Sequence, residues 1–139
     1  MKKFEFIEHT ADIGVRIYGD TLEDLFCNAA AALFSLLRDA KPTLNISKDI
    51  KLDDETYEDL LVNWLNELIA QVFADRFLAG QYMLSISHDG RLKRLEAKLK
   101  GEGNIDFEKI NMEVKAATYH NLKITQSERG YVAEVIFDV

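Results

Sequence analysis

The stretch "YMLSISHDGRLKRLEAKLK", Tyr82 to Lys100, decides the fold, because its apolar residues recur at every second position. Tyr82, Leu84 and Ile86 alternate with polar neighbours up to His88-Asp89-Gly90, and Leu95, Ala97 and Leu99 resume the alternation beyond it. A period of two broken by an Asp-Gly turn predicts an antiparallel hairpin with one buried face. Arg94, Lys98 and Lys100 then fall on the solvent face of the return strand. That pattern suits an outer strand whose lysines guard a solvated edge. A contact to RNA or to a protein partner through Arg91 to Lys100 is the competing reading.

Further along the chain, Met112, Val114, Ala116 and Thr118 predict another strand, Leu122 to Thr125 a short one, and Ala133, Val135, Phe137 and Val139 the last. The second half therefore reads as an antiparallel meander. Gly101-Glu-Gly103-Asn is read as a hairpin turn; Asp106 stands where a phosphate-binding loop would need its third glycine.

Towards the N-terminus the period lengthens. Thr21-Leu-Glu-Asp24 is a capping box with Asp in place of Glu, followed by Leu22, Leu25, Phe26, Ala29, Ala30, Leu33, Phe34 and Leu37 at helical spacing. This helix must end before Lys41-Pro42. A second cap at Thr56-Tyr-Glu-Asp59 opens a helix whose stripe is Leu60, Leu61, Trp64, Leu65, Leu68, Ile69, Val72 and Phe73. Acids from Asp53 to Asp59 complement the positive end of its dipole. Ile46, Ile50 and Leu52 predict an edge strand between the helices, and Phe4, Phe6, Ile13, Val15 and Ile17 predict two short strands at the start. The expected fold is a two-layer α+β domain over residues 1–139, with two amphipathic helices on one face of a mostly antiparallel sheet.

Composition agrees with a globular chain: 47% hydrophobic and 29% charged residues disfavour disorder. Asp and Glu outnumber Lys and Arg by 24 to 17, a net charge of −7, which argues against binding nucleic acid by phosphate neutralisation. The one cysteine, Cys27, permits no internal disulfide and lies among alanines, where an inert core thiol is expected rather than a nucleophile paired with a histidine. No apolar run approaches the ~18 residues that span a bilayer, so a soluble, cytoplasmic protein with no membrane partner is expected. Phosphate-loop, zinc-protease and serine-elbow motifs are missing from the sequence.

Two polar clusters remain. His9, Thr10 and Asp12 interrupt the first two strands, and Asp138 precedes Val139 at the end of the last. Should the last strand pair beside the first or second, Asp12, Asp138 and the carboxylate of Val139 would form an oxygen-rich group near His9. Hard divalent cations such as Mg²⁺ or Ca²⁺ favour that donor set. The plainer reading is a solvated turn and a frayed terminus. For Thr10 a bond to its own backbone is the simpler role. His88, beside the hairpin glycine, is expected in solvent.

The segments "EHTADIGVRIYGDTLEDLFCNAAAALFSLL", "LLVNWLNELI", "EVKAATYHNL" and the closing "VIFDV" strongly resemble the archease family, and the resemblance runs over essentially the whole chain. It implies an accessory protein, not an enzyme, that works with the GTP-dependent tRNA-splicing RNA ligase, which joins 3′-phosphate or cyclic-phosphate ends to 5′-hydroxyl ends. It further implies promotion of guanylylation of the ligase histidine and a divalent-metal site, Ca²⁺, Mg²⁺ or Mn²⁺, whose aspartates fall on Asp12 and Asp138. His9, Lys115 and His120 are then supporting or docking groups. A metal-dependent hydrolase or nuclease, or a general protein-binding chaperone, are the alternatives.

Overall fold

The computed structural model describes residues 2–7, 12–118 and 123–139. Strands β1 (Phe4–Ile7) and β2 (Ile13–Gly19) lead into helix α1 (Leu22–Leu37), and strand β3 (Ile46–Asp54) into helix α2 (Tyr57–Phe73). The chain then forms β4 (Leu78–Asp89) and β5 (Leu92–Glu102), a 3₁₀ turn (Phe107–Lys109), and β6 (Ala116–Thr118), β7 (Thr125–Ser127) and β8 (Gly130–Asp138). Both helices begin where their caps predict. Thr21 Oγ1 accepts from the Asp24 N–H at 3.1 Å and Thr56 Oγ1 from the Asp59 N–H at 3.0 Å. Arg76, with φ of 54°, turns the chain so that the Phe77 N–H returns to the Gln71 carbonyl and closes α2.

The α+β class, the two helices and the antiparallel pairing are as expected, but the strands divide into two sheets. β1, β2, β8 and β6 lie in that order, with β7 also on β8; β3, β5 and β4 form a separate three-stranded sheet. The meander therefore breaks after the β4–β5 hairpin, and the chain crosses between sheets through residues 103–115. The strand expected from Met112 shrinks to Ala116–Thr118: Val114 is buried, yet the Asn111 N–H bonds the last carbonyl of α1 instead of a neighbouring strand. The strand expected at Leu122 starts at Thr125, Leu122 itself lying outside the described residues.

β5 is the central strand of its sheet, not an outer one. Its register sets Arg94 against Asp53, Lys98 against Asp49 and Glu96 against Lys51, so its charges are cross-strand partners rather than edge guards. β3 is an edge strand, as predicted, and β4 is the other. Gly101 belongs to β5, not to a hairpin turn; a Cβ there would collide with the Leu78 carbonyl oxygen.

One hydrophobic cluster joins the layers. Val15, Ile17, Val135 and Phe137 from the first sheet and Ile50, Leu95 and Leu99 from the second all turn towards Leu33, Leu65 and Trp64 of the helices. Each helix touches both sheets, α1 through β2, β8 and β4, and α2 through β6, β3, β4 and β5. Trp64 is fully buried, and its indole N–H donates to the Phe26 carbonyl at 3.0 Å. Among the described residues, no helix is long and apolar enough to cross a membrane.

Candidate functional site

The position of β8 decides whether the two polar clusters meet. It lies between β2 and β6 and pairs along its length with β2, from Gly19 opposite Tyr131 to Ile13 opposite Phe137. Asp12 and Asp138 each lie one residue beyond that last pair, at the same end of the sheet. Phe137 is buried, so Asp138 points to the other, outward face, where the rows are Arg16 with Glu134 and then Gly14 with Ile136. The condition set by the sequence is thus met, and the last strand is paired on both sides rather than frayed. Asp12 is half-buried and Asp138 exposed.

The other flank of Asp138 is β6, where Ala116 is its register partner and the Lys115 N–H donates to its carbonyl at 2.8 Å. Ala116 brings only a methyl group beside the carboxylate. Lys115 and Val139 are exposed at the same end of the sheet. His9, Thr10 and His120 lie outside the described residues. Among the described residues no three His, Cys, Asp or Glu side chains converge to hold an ion. What the tip offers is a pair of carboxylates, hard oxygen donors suited to Mg²⁺, Ca²⁺ or Mn²⁺.

The outer face below the tip is tied down by charge. Arg16 reaches Glu134 at 2.8 Å on one side and Glu5 at 3.3 Å on the other, spanning three strands. Tyr18 donates its hydroxyl to Glu5 at 2.5 Å and Lys2 its ammonium at 3.0 Å. The Tyr18 hydrogen bond, then the one from Lys2, hold the Glu5 carboxyl down at about 2. Glu134, first among its neighbours, raises the Arg16 pKa further. This network had no signature in the sequence, because its members are 118 and 11 residues apart.

Other candidates stand apart from the tip. Cys27 is half-buried on α1 rather than fully in the core, and burial, then Asp24 and Glu23, push its thiol up to about 11. A thiol so protonated is a poor nucleophile. His88 is exposed at the hairpin, as expected.

Sequence reasoning also missed two side chains of α2 that grip main chain, one at β6 and one just before β7. Asn66 donates to the Ala117 carbonyl at 3.0 Å and accepts from the Ala117 N–H at 2.7 Å. Glu58 accepts from the Ile124 N–H at 3.0 Å. The one available hint was an amide beside the apolar stripe of α2.

The profile of the Archease protein family matches residues 4–139. Protein archease of Saccharolobus islandicus (strain M.14.25 / Kamchatka #1) is 37% identical over 141 residues, and that of Sulfurisphaera tokodaii 36% over 142, each comparison covering all of both chains. The solution structure of Methanobacterium thermoautotrophicum protein 1598 superposes with a TM-score of 0.86 at 31% identity, again over the full length of both chains.

Proposed function

This chain belongs to the archease family, whose members are non-catalytic activators of the tRNA-splicing RNA ligase, and on that premise we propose that it promotes guanylylation of the ligase histidine from its β2–β8 tip. What supports the reading is the β2–β8 register, whose last pair is Ile13 with Phe137, so that Asp12 and Asp138 each lie one residue beyond it at the same end of the sheet. Two carboxylates brought together there would repel each other unless a cation lay between them. Asp12, Asp138 and Val139 are the residues that would hold a divalent ion.

Bound there, the ion supplies positive charge for histidine attack on the α-phosphate of GTP. The chain's own part is to bind, present and dock. Lys115 offsets the local negative charge, and Lys115, His9 and His120 are the residues that would support the aspartates or dock on the ligase. The net charge of −7 steers the molecule towards a basic, RNA-binding partner, so contact with RNA is indirect.

The test is guanylylation of the cognate ligase with GTP, with and without this chain, beside the chain alone. The reading expects faster guanylylation and many turnovers only when both proteins are present. GTP hydrolysis or RNA cleavage by the chain alone would replace it with a metal-dependent hydrolase, and stimulation of unrelated enzymes would replace it with a general chaperone.

A further inference from the structure

We propose that Asn66 and Glu58 of α2 are positioning residues that set the strand beside Asp138, an inference that rests on the tip reading above. β6 has only three residues and forms one margin of its sheet, where a strand so short gains little from its ladder alone. On the β8 side it is held through the Lys115 N–H bond to the Asp138 carbonyl. On the α2 side a strand would ordinarily take both polar groups of Ala117. The carboxamide of Asn66 takes them instead, with its oxygen on the N–H and its nitrogen on the carbonyl.

Ala117 is 1% exposed, so without Asn66 both groups are buried and unpaired. Two turns earlier on the same side of α2, Glu58 holds the Ile124 N–H. One helix therefore fixes the main chain on both sides of residues 119–122. α2 is a rigid support, since Leu65, Leu68 and Ile69 anchor it in the core. The consequence reaches the tip because Lys115 and Ala116 flank Asp138 directly.

The experiment is a Mn²⁺ titration of the full chain, with melting temperature recorded for each variant and amide exchange followed at Ala117. Asn66→Ala is expected to bind Mn²⁺ about 10-fold more weakly and to exchange faster at Ala117. Trp64→Phe, which weakens the core without touching either clamp, is expected to melt lower yet bind as wild type does. Glu58→Gln, which keeps an acceptor for Ile124, should retain affinity that Glu58→Ala loses, and this pair serves if Asn66→Ala does not fold. Asn66→Ala or Glu58→Ala binding within about two-fold of wild type while folded overturns the inference and leaves the tip reading intact. Equal binding by wild type and Asp138→Asn overturns both.

Discussion

Replacing Trp64 by Phe should lower thermal stability substantially and leave ligase activation untouched. The indole is fully buried, donates to the Phe26 carbonyl at 3.0 Å, and meets the Tyr82 ring edge-on at 6.4 Å between centroids. Losing that hydrogen bond costs about 1 kcal/mol. Phenylalanine also leaves the space of the missing ring atoms unfilled, which at the lower end of core truncations costs about 1–2 kcal/mol more. Together these give about 2–3 kcal/mol, or a fall of about 6–12 °C for a chain of this length. Far-UV circular dichroism on heating measures it, since removing Trp64 removes the one tryptophan a fluorescence assay would use. A fall below about 2 °C would refute the idea that this indole locks α2 onto α1.

The acidic limb of stability should carry a signature of Glu5. Its carboxyl sits at about 2 when folded against an ordinary 4.5, so the folded form binds fewer protons between those values. The contribution is present above 4.5 and fades as pH falls through about 2, so the melting difference between wild type and Glu5→Gln should shrink over that window. A difference that stays constant there would show that the Arg16–Glu5–Tyr18 network is not electrostatic. Cys27 should react with maleimide about two orders of magnitude more slowly in the folded protein than in urea, because burial suppresses its thiolate; equal rates would place the thiol in solvent. Thr56→Ala should cost about 1 kcal/mol in urea denaturation, the ordinary price of an N-cap, and no loss would mean that α2 is capped by other groups.

Periodicity made the local elements readable: the Asp89-Gly90 hairpin and the caps at Thr21 and Thr56 stand where the pattern places them. It could not supply strand order. Alternation in Arg94 to Lys100 shows which face is buried, and a central strand whose charges meet partners across the sheet looks the same as a guarded edge. The pairing acids, Asp49 and Asp53, lie more than 40 residues upstream, on a strand that sequence alone leaves without a neighbour. The split into two sheets was illegible for the same reason, since it depends on contacts between distant segments. Asp12 and Asp138 are visible in the sequence as chemistry, but only the β2–β8 register shows that they lie at the same end of the sheet. Asn66 left almost no trace, because an amide beside an apolar stripe usually faces water, and only the position of β6 reveals what it bonds.

The most direct measurement is the rate of ligase guanylylation with wild type, Asp12→Asn and Asp138→Asn, each shown by circular dichroism to be folded. The account predicts that both variants lose the acceleration while retaining the fold, since each removes one of the two carboxylates proposed to hold the ion at the end of β2 and β8. Acceleration equal to wild type by either folded variant would contradict it and move the activating surface away from the tip.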